Sequence, residues 1–381
     1  MFTRGSAAVK TLILDSNELR SDWLCTGLKY QLLDHMQHTY APWVSVCVPA
    51  VVLEEVVANH AREVTRVEEG GKKLARERRH LGLTAADADP HSFDYRAYLT
   101  ERFDERLGFT VLPWPNTPHK ELVARATSRT PPFDLKGGGY RDSLVWADAV
   151  ELARTGGDVI LISGDKAFAG VDGDLHPTLL AEIEPLEGTV RLVSNFNNWL
   201  VAELPWPASD LRTAVSISRN AAFYNDLLQS DFPYDVHPPA EALGFTTAPS
   251  HLEIEEVEWD GSFVPLEGSS GPEGMTLVEY DLGQTVEFVA QIPGVVVPDP
   301  GWTVSGPDAL HMVRVEGSVK LILRVAVLFG DEFGFTVDAL SWRRADGSGP
   351  GMPVEMDQTV TDPDQLSLPM DLVQGSEPPS A

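Results

Sequence analysis

Over the first 200 positions the apolar residues gather into runs of four or five, Thr11–Leu14, Val44–Val48, Phe109–Leu112, Val159–Ile162 and Val190–Val193. Runs of that length with polar neighbours predict strands. The longer stretches between them carry apolar residues every three or four positions, which predicts helices near Glu18–Leu33, Ala50–Arg79, Asp94–Leu107, His119–Ala126, Tyr140–Arg154, Pro177–Glu184 and Phe196–Ala202. Gly70-Gly71 is a candidate break in the second of these. Strand and helix in alternation imply a parallel sheet covered by helices on both faces. Pro205-Trp206-Pro207 then marks a boundary.

The period changes further along. Ser209–Leu228 reads as a connecting helix, and beyond Ala248 the alternation becomes that of strands: Leu252–Trp259 sets apolar against acidic residues, and Thr285–Gln291, Met312–Phe329 and Phe333–Trp342 continue the pattern, with turns expected at Gly317 and Gly330-Asp331. This predicts a smaller, mostly antiparallel β domain with one wet, acidic face. After Arg344 the chain has no Lys or Arg and is rich in Pro, Gly, Ser and acids, the composition of a disordered tail. The expected organisation is residues 9–203, a linker over 208–245, a β-rich domain over 246–345 and a tail over 346–381.

Charge is divided unevenly. The formal net charge is −28, yet residues 1–200 hold 22 Lys and Arg against 28 Asp and Glu, whereas residues 201–381 hold 7 against 29. The acidity therefore belongs to the second half, which suits a protein partner better than a nucleic acid. In the first half Arg62, Arg66, Lys72, Lys73, Arg76, Arg78 and Arg79 fall at helical spacing, either a phosphate-tracking stripe or a solvated face interleaved with acids. Cys25 and Cys47 have no paired spacing and read as buried thiols, and His35 and His38 lack the companions a metal site needs. No apolar run approaches the roughly 18 residues that span a bilayer, so a cytoplasmic protein without membrane contact is expected.

Candidate chemistry lies in four acidic segments. Asp15 in Leu14-Asp15-Ser16-Asn17 and Asp165 in Ser163-Gly164-Asp165-Lys166 each follow a predicted strand, where open α/β sheets place their ligand crevice. Glu55 and Asp142 fall in the first turns of predicted helices. Carboxylates gathered in one crevice repel unless a cation neutralises them, and hard ions such as Mg2+ and Mn2+ prefer oxygen ligands. Taken singly, each acid is also an ordinary helix-capping residue. Asp148 and Glu151 share the helix of Asp142, but Asp148 is about 120° away around it, which predicts a solvated face.

These residues resemble the PIN-domain nucleases, and in particular a subgroup of long bacterial PIN proteins with a second domain behind the nuclease. The resemblance covers roughly residues 9–203. It rests on Asp15-Ser16-Asn17 ending the first strand, an acid six residues after Pro49, the Gly-rich approach Lys136-Gly137-Gly138-Gly139-Tyr140-Arg141-Asp142, and Ser163-Gly164-Asp165. It selects Glu55 over Glu54. Ala167 stands where the family often has a further Asp. The resemblance implies a PIN-like three-layer α/β/α fold and a Mg2+- or Mn2+-dependent ribonuclease. Asp15, Glu55, Asp142 and Asp165 would hold metal, with Ser16, Asn17 and Ser163 orienting them. RNA would be the substrate, with DNA as the alternative, cut to a 5′-phosphate and a 3′-hydroxyl. Lys136 and Arg141 flank the third acid, where they either meet substrate phosphates or simply serve a tight turn and an ion pair. The competing expectation is a weakly active or inactive PIN-fold binding module. No Gly-x-Ser-x-Gly elbow, P-loop or dinucleotide fingerprint is present.

Overall fold

The computed structural model describes residues 9–38, 44–80, 93–134, 136–209, 236–293, 301–307, 312–330, 334–347 and 352–353, with the side chains of 72–80 and a few single positions left aside. The connecting helix expected over Ser209–Leu228, apart from Ser209, the tail beyond Gly347, apart from Met352-Pro353, and the side chains of Lys72, Lys73, Arg76, Arg78 and Arg79 lie outside the described residues.

Five parallel strands form the first sheet: β1 (Lys10–Leu14), β2 (Val44–Pro49), β3 (Thr110–Leu112), β4 (Asp158–Ile162) and β5 (Thr189–Val193), in the order β3-β2-β1-β4-β5. Leu12, Ile13 and Leu14 on central β1 are all fully buried, as a strand covered by helices on both faces requires. The chain runs outward from β1 to β3 and then returns to β4 on the other side of β1. The reversal lies between β1 and β4, where such folds open their crevice.

Eight helices accompany this sheet among the described residues: α1 (Ser16–Arg20), α2 (Leu28–His38), α3 (Ala50–His80), α4 (Tyr95–Glu101), α5 (His119–Ser128), α6 (Tyr140–Arg154), α7 (Pro177–Ile183) and α8 (Phe196–Glu203). Helix α4 runs on as a π-helical turn over Arg102–Leu107. Two expectations need correction. The single helix expected over Glu18–Leu33 is broken, because the Asp22 carboxylate accepts from the backbone N–H groups of Leu24, Thr26 and Gly27 at 3.1, 2.7 and 2.6 Å and so offers the chain a turn in place of a helix. Gly70-Gly71 does not break α3; each glycine costs about 1 kcal/mol against alanine, too little to stop a 31-residue helix.

The second sheet is antiparallel and has the order β11-β10-β9-β7-β6, with β8 beside β9. Its strands are β6 (His251–Ser270), β7 (Thr276–Pro293), β8 (Trp302–Ser305), β9 (Met312–Gly330), β10 (Gly334–Arg344) and β11 (Met352–Pro353). No turn occurs at Gly317, which lies inside β9. A Cβ there would come within 2.8 Å of both the Phe288 and Trp302 rings, so this glycine admits aromatic packing across strands. Edge strand β6 exposes Glu253, Glu255, Glu256 and Glu258 and carries three register shifts and Pro265, features that discourage pairing with another chain.

The expectation of one wet face is incomplete. Val278, Tyr280, Leu282, Leu323, Val325 and Trp342 bury one face in a core of their own. On the opposite face Leu277, Ala326, Leu328 and Leu340 join the core of the first sheet. Polar contacts reinforce that seam: Asn195 and Asn197 donate side-chain N–H groups to the carbonyls of Leu340 and Ala339, both at 3.1 Å, and Gln31 Nε2 reaches Thr336 Oγ1 at 3.1 Å. Beside it the buried Lys29 ammonium donates to the Glu18 carbonyl at 2.7 Å, to the Glu18 carboxylate at 3.1 Å and to Ser21 Oγ at 2.5 Å. Removal from water pushes the Asp338 carboxyl of β10 up to about 6, while the positive charge of Lys29 pulls it down. The second sheet thus keeps a core of its own on one face and packs its other face against the first core.

Candidate active site

The carboxyl edge of the first sheet assembles the candidate residues from four separate elements. Asp15 leaves β1 and caps α1, so its backbone is fixed by the strand before it and the helix after it. Ser16 N–H donates to Asp15 Oδ1 at 2.6 Å and Ser163 Oγ donates to Oδ2 at 2.5 Å, which orients both oxygens. Ser163 follows β4 and also accepts from the Asp165 N–H at 3.1 Å. Asp165 Oδ1 accepts in turn from the Ala167 N–H at 2.7 Å, so the position where the family often has an acid contributes its backbone to the loop. Asn17 lies half-buried in the first turn of α1.

Glu55 and Asp142 come from the starts of α3 and α6. Glu54 and Glu55 point apart: exposed Glu54 forms a two-pronged ion pair with Arg96 of α4, while Glu55 accepts from Arg141 at 2.6 Å. The approach to Asp142 is built by Asp134, whose Oδ1 accepts from the N–H groups of Lys136 and Gly138 at 2.8 and 2.9 Å. Gly139 closes that loop with φ 108°, and a Cβ there would collide with the Pro132 carbonyl oxygen, so only glycine fits. Lys136 is exposed on the loop.

Burial and mutual repulsion mark these acids electrostatically. Asp142 is pushed up to about 8, first by removal from water and then by the charges of Asp165, Asp15 and Glu55, with Arg141 opposing. Asp15 is raised to about 6 by burial, against its bonds from Ser163 and Ser16, with Glu55 and Asp165 adding repulsion. Glu54 contributes to neither. Among the described residues no three His, Cys, Asp or Glu side chains stand grouped as a ready-made metal cage. The acids share one field, and Arg141 provides positive charge at Glu55.

Asp148 departs from expectation. It is 6 % exposed, not solvated, and its Oδ2 has no hydrogen-bond partner; burial alone raises it to about 7. The 120° turn from Asp142 carries it into the protein, where periodicity measured from Asp142 alone could not place it. His38 pairs with Asp34 at 2.8 Å, and the ring of His35 lies edge-on to Trp206 at 6.2 Å. Cys25 and Cys47 are both buried and free.

Residues 12–168 match the PIN-domain family, and the five-stranded parallel sheet with its helices is a PIN-like α/β fold, a fold of nucleases. No curated protein and no solved structure matches the chain. Among the described residues no helix is long and apolar enough to cross a membrane.

The contrast between the two neighbouring glutamates is testable. Glu55→Gln is expected to abolish cleavage, whereas Glu54→Gln, which only loses an exposed pair with Arg96, should leave the rate within a few-fold of the parent. Steady-state cleavage of a labelled oligonucleotide reads both, and equal losses would reject Glu55 as the site residue.

Proposed function

We propose that the PIN domain is a divalent-metal-dependent ribonuclease that hydrolyses RNA phosphodiester bonds through Asp15, Glu55, Asp142 and Asp165. The observation that carries this reading is the arrival of four carboxylates from four elements at one carboxyl edge, close enough to repel one another. Oxygen donors and an excess of negative charge fit Mg2+ or Mn2+. When bound, such an ion supplies charge relief on the phosphate and a nucleophilic water at neutral pH.

The chain's own groups provide the rest. Ser163 and the Ser16 N–H fix the Asp15 oxygens, so that this carboxylate presents a set geometry without reorganising. Arg141 pairs with Glu55, and were Glu55 to hold a metal ion the guanidinium would be available to a substrate phosphate. Lys136 and Lys166, both exposed, add positive charge at the same edge. A second reading, a weakly active binding module, draws on the Arg141–Glu55 pair and the lack of a preformed cage among the described residues.

Labelled RNA and DNA strands incubated with Mn2+, Mg2+ or EDTA test the proposal. Cleavage of RNA in either metal and none in EDTA is expected; persistence in EDTA would overturn the metal mechanism, and preference for DNA the substrate. Calorimetric titration separates the module, for which millimolar Mn2+ should give no heat.

A further inference from the structure

We propose that Trp114 and Tyr140 are base-stacking residues that hold an unpaired nucleic-acid strand across the carboxylate edge. The proposal rests on the nuclease reading for its substrate class. Topology puts both residues at that edge. Leu112 of β3 pairs with Pro49 of β2, so the end of β3 lies beside the start of α3, which carries Glu55, and Trp114 follows two residues later. Tyr140 is the first residue of α6, two before Asp142 and next to Arg141.

Both rings face water. Trp114 is 57 % exposed and Tyr140 52 %, and among the described residues no other tryptophan or tyrosine is in the exposed class. A large ring left in water forgoes the gain of burial, so two such rings at one candidate site suggest a ligand. Their presentation is rigid. Trp114 lies between Pro113 and Pro115, whose rings fix φ, and Tyr140 starts a helix behind the tight Gly139 turn. A ring held in place loses little freedom when a base stacks on it. Exposed Lys136 and Lys166 share the edge, a combination of flat apolar faces and cations that suits a polyanion carrying bases better than an apolar peptide. Bases in a duplex already stack on each other, so the rings select an unpaired strand.

The test uses the full chain with Asp15→Asn, which prevents turnover, in Mg2+. Fluorescence anisotropy would follow a 12-nucleotide single-stranded RNA with 2-aminopurine at successive positions, a DNA strand of the same sequence and an RNA duplex. Trp114→Ala and Tyr140→Ala are each expected to weaken the single strands by about 5- to 100-fold and the duplex by less than twofold. Trp114→Phe and Tyr140→Phe should recover most of the loss, and each alanine variant should lose 2-aminopurine quenching at one position. Unchanged strand affinity in both alanine variants would overturn the proposal. So would equal losses for strand and duplex, or rings that prove to bind a protein while no strand binds. Cleavage by the parent chain is scored separately: ring-dependent strand binding without cleavage removes the nuclease reading alone, and cleavage with ring-independent binding removes this inference alone.

Discussion

Replacing Asp142 by Asn is expected to cut phosphodiester cleavage by about three orders of magnitude while raising the melting temperature at pH 8. The two effects have one origin. Asp142 is raised from an ordinary carboxyl value to about 8 by burial and by three neighbouring acids, so the folded chain holds its proton at pH values where the unfolded chain has released it. Below about pH 4 both states are protonated and the site costs nothing. As pH rises from about 4 to 8 the unfolded state is increasingly favoured, by an amount on the order of a few kcal/mol at the upper end. Asp15, raised to about 6, adds a smaller penalty of the same sign that is complete at lower pH. The Asp142→Asn change removes the larger penalty, so thermal melts of parent and variant should coincide near pH 4 and diverge toward pH 8. Added Mg2+ should stabilise the parent at pH 8 far more than the variant. A variant that cleaves like the parent, or melts lower at pH 8, would remove Asp142 from the site.

Removal of residues 208–381 is expected to leave an insoluble or non-cooperatively melting fragment, not a free nuclease domain. Leu277, Ala326, Leu328 and Leu340 belong to the core of the first sheet, and deleting them uncovers apolar surface on α2 and α8. A milder change isolates the effect: Leu340→Ala, at a fully buried position, should cost about 2–5 kcal/mol and lower the melting of the whole chain in one transition. Circular dichroism melts and gel filtration read both variants. A monomeric 1–207 fragment melting as cooperatively as the full chain would show that the two sheets are independent.

The parallel sheet was legible because each strand is a short apolar run, and both ends of α6 were legible because Gly139 precedes it and its period is unbroken. The break between α1 and α2 was not, since it depends on one carboxylate reaching three amides. Asp15, Glu55, Asp142 and Asp165 were legible as candidates from their local motifs, but the Arg141–Glu55 pair joins positions 86 apart. The exposure of Trp114 and Tyr140 has no sequence period and leaves no mark in the chain. The second face of the later sheet did leave a trace: Ala326-Val327-Leu328 is continuously apolar where a half-wet strand would alternate, a pattern of burial on both sides.

The shared core also orders events during synthesis. Val193 ends the last strand of the first sheet, but Leu340, which closes its core, is made roughly 150 residues later, about 7–30 s at common elongation rates of about 5–20 residues per second. Throughout that interval the nascent first half has its apolar α2–α8 side uncovered by β10 and its fold unfinished. The first half of the polypeptide thus waits for β10, and native packing behind its carboxylate edge comes only once that strand has been made.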